Sequence, residues 1–344
     1  MRPAHGDRCT VLRARRALLP RAARSPDVVM MGSRAEDRVV SWLLTGDPSV
    51  RWQVMRDLLG APRATWQAER ARVAEHGWGA RLLAYRDEAG RWTPRFYGKK
   101  WISTTYSMVL LRRLGLPPDD PRAAVSCKLF LDEGLCADGG IYAAVTHKQG
   151  ETCLTGMVLA LLSWFRVDDP RRERLVDYLL AEQMKDGGWN CQRDRGAVHG
   201  SFHTTINVLE GLQEYVDARG SQAAAAAAAR GREFFLAHRL YRSHRTGEVV
   251  NAAFTRFSFP PRWHHDMLRT LDHFRASGAP YDARLEDPVG LMERKRGRDG
   301  RWALQNRHPG KTFYELERVG APSRWNTLRA LRTLRWWAQA KAGA

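Results

Sequence analysis

No apolar run in this chain of 344 residues reaches the ~18 residues that a bilayer-spanning helix needs. The five cysteines are odd in number and widely spaced. That argues against a disulfide framework and for a reducing, cytoplasmic compartment. The first 24 residues hold seven Arg and one Asp and no long apolar stretch, so they lack the pattern of a secretory signal. Helix-turn-helix, zinc-finger and aromatic ribonucleoprotein patterns are absent too, which removes sequence-specific nucleic-acid binding from the functions to consider. Acidic residues are scarce: 37 Asp and Glu against 56 Lys and Arg leave a net charge of +19 and a pI of about 10.4. Such a surplus attracts phosphorylated ligands and anionic surfaces, and a peripheral contact with anionic membrane stays open as a partner. Most of the positive charge is expected on outer helix faces, as in DDPRRERLVDY and RALRTLRWW, where it meets solvent.

What the chain does have is one pattern of turn and helix, repeated. Its clearest copy runs LLAEQMKDGGWNC (179–191) into SFHTTINVLEGLQEY (201–215). A helix ends in Gln-x-x-Asp-Gly-Gly-Trp, a loop follows, and a second helix opens on Thr-Thr. Degenerate turns stand at DEAGRW (87–92), CADGGIY (136–142) and GRDGRW (297–302). The second helices start near residues 51, 103, 152, 204, 264 and 324, with spacings of 52, 49, 52, 60 and 60. Periods of this size mean supersecondary units that bury their apolar faces against one another. With 44% hydrophobic residues and 13 Trp there is ample material for a core. The expected fold is all-α, an α/α toroid (α6/α6 barrel) of about six two-helix repeats. It is expected to form a single domain over residues 34–344. Residues 1–33 read as a disordered extension or an over-called start, since Met30 and Met31 precede the first helical pattern.

One unit shows the local logic. STTYSMVLLRRLG carries Met108, Leu111 and Gly115 near one stripe, with Val109, Leu110 and Leu114 beside it. A helix apolar over most of its circumference belongs on an inner ring. Gly115, Pro117 and Pro118 end it, and Asp120 reads as the next N-cap with Pro121 at the first helical position. Asp169 and Pro170 repeat this, so capping accounts for Asp pairs that otherwise resemble a metal or acid motif. Turns from inner to outer helices are short, while the returning loops are expected to run about ten to fifteen residues. The inner helices are then parallel, with their N-termini and all the long loops at one mouth. Loops on a rigid scaffold carry function, and helix N-termini favour an anion or a thiolate.

At that mouth HKQGETC brings Lys148, Glu151 and Cys153 to the third inner helix. Cys191 follows the next Gly-Gly-Trp turn, and HGSFHTT brings His199 and His203 to the fourth helix. Glu151, Cys153, Cys191 and His203 offer two thiols, an imidazole and a carboxylate, the four-coordinate set that suits zinc. Zinc is the expected cofactor, and the helix start is expected to lower the pKa of Cys153. Each residue also has a plain structural reading, Cys153 as a small core residue and His203 as a partner of a loop carbonyl. Cys127 and Cys136 read as packing residues. His199, His265 and Asp266 are the candidate acid–base groups. Lys148, Arg262, Trp263, His264 and Trp325 are the candidate substrate contacts, because cations among aromatics suit an apolar ligand with a charged head. The same rings serve equally well to wedge the loops together. His308, Lys311 and Tyr314 stand at the same mouth, as do Lys99, Lys100 and Trp101.

The Gln-x-x-Asp-Gly-Gly-Trp turns resemble those of the terpenoid cyclase and protein prenyltransferase superfamily (squalene cyclase-like, prenyltransferase/squalene oxidase repeat proteins), over roughly residues 50–337. That resemblance implies an α/α toroid. Within it, Lys148-x-x-Glu151-Thr152-Cys153 is similar to the Lys-x-x-Asp-x-Cys stretch of protein prenyltransferase β subunits. There the Asp and Cys bind zinc and the Lys contacts the diphosphate. His203-Thr204 resembles the family's third zinc ligand. The resemblance therefore implies Glu151, Cys153 and His203 as ligands and Lys148 as a phosphate contact, while Cys191 has no counterpart and is added on its chemistry. The sequence also departs from the family. Val145 stands where an Arg is usual, Leu154 where a Tyr follows the Cys, and Ser103-Thr104-Thr105 where His-Gly-Gly is usual. The Asp-x-Asp-Asp acid of the cyclases is missing.

The resemblance implies an enzyme of cyclase or prenyltransferase type acting on a small apolar or isoprenoid ligand, diphosphorylated or not, with no obligate partner subunit indicated. Two alternatives stand beside it. One is a zinc-dependent thiol-activating cyclase resembling the lanthipeptide cyclases, also α/α toroids. The other is a non-catalytic ring with structural zinc that binds an acidic partner. A deep, aromatic-lined central cavity opening onto Cys153 is expected of the first reading, and a saturated four-ligand site of the last.

Overall fold

A computed structural model describes residues 34–98, 100–143 and 149–344. The extension expected over 1–33 lies outside the described residues, as do Lys99 and Lys148. Regular structure among the described residues is helical, apart from four isolated bridges. In chain order the helices are α1 (Arg34–Leu44), α2 (Pro48–Asp57), α3 (Arg63–Ala71), α4 (Gly77–Leu83), α5 (Thr104–Leu114), α6 (Pro121–Gly134) and α7 (Thr152–Trp164). They continue with α8 (Arg171–Ala181), α9 (Phe202–Arg219), α10 (Gln222–Ala237), α11 (Met267–Ala276), α12 (Glu286–Arg294) and α13 (Arg324–Ala342).

Capping chemistry sets the helix starts. Asp47, Asp120, Ser201, Ser221, Asp266 and Ser323 each precede a helix and accept an amide from its first turn. This satisfies one of the donors that every helix start leaves open. Asp169 accepts the Arg171 amide at 2.9 Å in the same way. At the other end, α5 stops at Gly115, whose φ is +92° and whose amide turns back to Leu111. The Trp52 indole occupies the place where a side chain at Gly115 would stand.

Helices α2, α5, α7, α9, α11 and α13 stand side by side as an inner wall, and bonds between neighbours close it. Trp52 Nε1 and Gln53 Nε2 on α2 donate to the Leu114 and Arg113 carbonyls of α5 at 3.0 and 3.2 Å. Helix α7 packs between α5 and α9. Against α9 the approach is backbone to backbone: a Cβ on Gly156 would lie 2.8 Å from the Asn207 carbonyl oxygen. Arg269 of α11 binds Glu210 of α9 at 2.8 Å, and Arg332 of α13 binds Asp272 of α11 at 2.7 Å. The Arg332 guanidinium also reaches Gln53 and Asp57 of α2 at 2.9 Å, which completes the circle. The α7–α9 approach joins the second turns of both helices and Arg332 joins the middles of α13 and α11, so the inner helices run parallel. The fold is an α/α toroid. Burial follows the layers: α7 is buried from Thr152 to Ser163, whereas α3 buries none of its residues.

The repeated turn is a clamp between layers. Asp186 accepts the Gly188 and Gly200 amides at 3.1 and 2.7 Å and ties the two ends of its loop together. Trp189 is fully buried. It gives its indole N–H to the Leu179 carbonyl at the end of α8 and its amide to the Thr205 hydroxyl of α9, at 2.7 and 2.9 Å. Trp92 does the same with Leu82 and Thr104, and Trp302 with Met292 and Thr327. Ile141, without an indole, keeps only the bond to Thr155. One aromatic residue thus serves an orphan carbonyl of the outer helix and the first turns of the inner one.

Two expectations need correction. The loops into the inner helices span 84–103, 135–151, 182–201, 238–266 and 295–323, longer than expected, and all but 238–266 carry the repeated turn. Three arginines expected to meet solvent do not. Arg329 and Arg332 of RALRTLRWW are 4% and 9% exposed, and Arg172 of DDPRRERLVDY is 4% exposed. Helix α13 belongs to the inner wall, and Arg329 and Arg332 face the lumen; Arg172 bonds the Val167 carbonyl at 2.9 Å. Among the described residues no helix is long and apolar enough to cross a membrane.

Candidate functional site

Glu151 immediately precedes α7, and Cys153 is the second residue of that helix. The clamp at Trp189 fixes the following chain, so Cys191 reaches the start of α7. The ligand-capable atoms of Glu151, Cys153 and Cys191 all lie within 4.8 Å of one another. The Cys153 thiol donates to Glu151 Oε1 at 3.1 Å. The Cys153 amide donates to Cys191 Sγ at 3.2 Å, and Thr204 Oγ1 donates to the same sulfur at 3.4 Å. Cys153 is buried and the other two are half-buried. Two sulfurs and one carboxylate form a donor set that fits zinc.

The expectation that the α7 start acidifies Cys153 fails, and the geometry gives the reason. The first-turn amide points at Cys191, not at its own side chain. The adjoining Cys153 side chain, and then the Thr204 hydroxyl and the Cys153 amide, outweigh burial and lower the Cys191 pKa. The neighbouring Cys191 sulfur, burial and the Glu151 carboxylate raise the Cys153 pKa well above the ordinary thiol value. Cys191 is the more acidic thiol of the pair.

His203 is not a member of this group. Its Nδ1 accepts the His265 amide at 2.8 Å. Its ring stands edge-on to Phe254, Trp263 and His264, with centroids 5.4, 5.0 and 5.4 Å away. Burial, and then Arg269, push its pKa down to about 4, so it is neutral at physiological pH. The structure therefore brings together three of the four expected ligands and seats the fourth among aromatic rings.

Those rings plug the mouth. His264 is stacked between Trp263 and His308, with centroids 3.7 and 3.8 Å apart. Trp101 stands edge-on to both imidazoles and donates its indole N–H toward the His308 and Pro309 carbonyls at 3.1 and 3.0 Å. Lys100 Nζ lies 5.6 Å from the Trp263 ring and the buried Arg262 guanidinium 5.5 Å from that of Trp101. Trp325, 2% exposed, stacks on Phe259 at 4.1 Å. These faces pack on one another, which is the wedging role. Between plug and thiols stand Tyr97 and Tyr106, whose hydroxyls are 3.2 Å apart. Burial raises both pKa values, and the nearby Glu151 and Cys153 raise them further. Neither tyrosine is singled out by the sequence pattern.

The candidate acid–base groups are dispersed. His265 is buried among Phe202, Phe235 and Phe254, with its ring nitrogens 2.9 Å from the Leu240 carbonyl and the Thr270 hydroxyl. Asp266 caps α11 through the Arg269 amide at 2.8 Å and also accepts from the Ser258 hydroxyl at 2.7 Å. His199 is exposed, 3.9 Å from Asp186. Lys148, the expected phosphate contact, is not among the described residues.

The lumen is not an aromatic cavity opening onto Cys153. A cavity of about 420 Å³ is lined mainly by charged residues of the inner helices, including Arg113, Glu210, Asp272 and Arg329. A smaller one of about 40 Å³ lies under the mouth, between Trp101, Arg262 and Phe313. Phe259 borders both. Charges spaced i, i+3 or i, i+4 on otherwise apolar helices, Arg329 and Arg332 or Glu210 and Glu214, were the available sequence signal.

No family of known proteins matches the chain, and no curated protein does. Among solved structures it is similar to a crystal structure of a protein from Actinoplanes, with a TM-score of 0.45 and 18% identity over 88% of this chain and 98% of that one. It is also similar to the apo structure of the type II terpene cyclase MstE from Scytonema. There the TM-score is 0.32 and the identity 12%, over 81% of this chain and 99% of that one.

Proposed function

We propose that this chain is a zinc-dependent toroid enzyme whose metal is held by Glu151, Cys153 and Cys191 at the rim of the ring. The observation that supports the reading is the convergence of three donors within 4.8 Å at the start of one inner helix. With these three donors, the set found among the described residues, zinc would keep one tetrahedral position for substrate, as catalytic zinc requires, whereas structural zinc is closed by four. Bound zinc would supply a Lewis acid that keeps a coordinated thiol or water deprotonated near neutral pH. The surrounding residues prepare for this. Glu151 accepts a hydrogen bond from the Cys153 thiol, whose proton would leave to solvent when metal is taken up. Thr204 and the α7 amide orient the Cys191 sulfur. Tyr97 and Tyr106, kept protonated, offer hydroxyls to a substrate oxygen beside the metal.

The substrate class that fits is a soft nucleophile, a thiol above all, joined to an apolar or isoprenoid group that rests on Tyr97 and Tyr106. Thiol-activating ring closure is the second reading, favoured by the two-thiol donor set. Zinc per chain by elemental analysis is the test. One equivalent is expected, lost in Cys153→Ser and Cys191→Ser with helical content unchanged, and retained in His203→Ala. Metal retained by both cysteine variants overturns the site. Thioether formation from a thiol and an isoprenoid diphosphate, read by mass spectrometry, then separates transfer from ring closure.

A further inference from the structure

The lumen carries a feature that does not rest on the rim site. Its cavity of about 420 Å³ lies toward the C-terminal ends of the inner helices, and the Phe259–Trp325 stack borders it on the mouth side. Seven arginines and five carboxylates line it. Two carboxylates act as hubs. Glu210 meets Arg112, Arg113 and Arg269 at 3.7, 2.7 and 2.8 Å. Asp272 meets Arg275, Arg329 and Arg332 at 2.9, 3.9 and 2.5 Å.

Each of the five carboxylates on this wall takes at least one hydrogen bond. Several donors make none. Arg112 Nε, Arg113 Nε, Arg329 Nη2 and Trp325 Nε1 are buried without a hydrogen-bond acceptor among the described residues, although Arg329 Nη2 has Asp266 Oδ1 at ion-pair distance, 3.7 Å. Buried polar groups are ordinarily paired, so a wall with buried donors left unserved has room for acceptors from outside the chain. Helix carbonyl ends explain part of the positive surplus, since Arg112 and Arg113 stand in the last turn of α5. They do not explain Arg329, which stands in the second turn of α13, near the end where the helix dipole disfavours a cation.

We propose that the lumen is a binding site for a small polyanion, one that presents several anionic oxygens as a diphosphate or a polycarboxylate does. Arg113 and Arg329 are its charged contacts from α5 and α13. The Trp325 indole adds a neutral donor, and guanidinium forks match such oxygens in geometry as well as in charge.

The test is calorimetric titration of the full chain at low salt with sodium pyrophosphate and, separately, with citrate. Saturable binding to one site is expected, weakened by added salt. It should weaken about tenfold or more in Arg113→Gln and in Arg329→Gln, and stay unchanged in the surface variant Arg245→Gln and in Cys153→Ser. Arg113→Gln leaves Glu210 with two other arginines, so it keeps the test decisive if Arg329→Gln does not fold. Binding of pyrophosphate alone assigns a phosphorylated ligand and binding of citrate alone a carboxylic one. No saturable binding of either probe up to millimolar concentration overturns the proposal and leaves the wall a solvated ion-pair network. Equal loss in Arg245→Gln overturns it as non-specific, and loss in Cys153→Ser overturns it by moving the anion to the rim.

Discussion

Glu210→Gln is the substitution that tests the closure of the ring most directly. Burial alone would raise the Glu210 pKa, yet Arg113 and Arg269, with help from Arg112, hold it well below the ordinary carboxylate value. Its partner Arg269 has a side chain only 2% exposed. An amide at this position keeps the shape and removes the charge, leaving buried guanidiniums uncompensated. Breaking one partner of a buried pair costs about 3–5 kcal/mol. Unfolding entropy near 2.1 cal/mol/K per residue gives about 0.7 kcal/mol/K for a chain of 344 residues. The melting temperature should therefore fall by about 4–7 °C, read by far-ultraviolet circular dichroism or calorimetry. Glu233→Gln is the matched control. Glu233 pairs with Arg284 at 2.5 Å but is 58% exposed, so its loss should cost less than about 0.5 kcal/mol and shift the melt by under 1 °C. Equal shifts in the two variants would refute the assignment of Glu210 as a hub joining α5, α9 and α11.

His273 is 5% exposed, and its pKa is pushed down to about 4 chiefly by burial. Its neutral form is favoured in the fold, so that contribution is whole above pH ~6.5 and is lost as pH falls from there toward 4, up to about 3 kcal/mol; urea titrations across that window should show a shallower acid slope in His273→Gln. Gly156→Leu should prevent the backbone contact of α7 with α9, read as loss of the cooperative melt. Gly290→Ala on α12, where the nearest atom to a new Cβ is the flexible Arg294 Nη1 at 3.3 Å, should be neutral or stabilise by up to about 1 kcal/mol. Trp189→Phe keeps the ring but orphans the Leu179 carbonyl, a loss of about 1–3 kcal/mol visible in the urea midpoint; an unchanged midpoint would show that the clamp is packing alone.

The ring was legible because its signal is periodic and local. Asp186, Gly187 and Trp189 advertise a turn, Thr204 and Thr205 the helix that receives it, and both ends of that clamp are visible in one stretch of sequence. Glu151, Cys153 and Cys191 were legible for a related reason: their spacing is set by the same clamp, so two successive loops had to meet. His203 follows the same spacing, but its orientation depends on Trp263, His264 and the His265 amide, some sixty residues away, and no local pattern encodes that. The acidity of the thiols was misjudged for want of one geometric fact. A helix start offers its amides to whatever group lies in front of them, and that group is Cys191. The lumen was hidden because arginine on a helix ordinarily means a solvated face. Only the knowledge that α13 is an inner helix turns Arg329 and Arg332 inward.

Parallel inner helices give the ring two chemically different ends, and the two proposed sites follow that division. The mouth gathers first-turn amides, and one of them, from Cys153, holds a sulfur. The opposite end gathers carbonyl termini, which draw in arginines such as Arg112 and Arg113. Between them stand two layers, Phe259 on Trp325 and, above it, the Trp263–His264–His308 stack. A substrate reaching Cys153 through the lumen would have to displace both layers. Approach along the rim past the half-buried Tyr97 displaces neither, and it delivers a nucleophile to the side of the thiols that the stack leaves uncovered. The lumen is then free for a ligand of its own, entering from the carbonyl end. Loss of metal at Cys153 and loss of anion binding at Arg113 should accordingly be separable in single variants, and the pair of variants Cys153→Ser and Arg113→Gln should show additive effects on stability, since the two sites share no side chain.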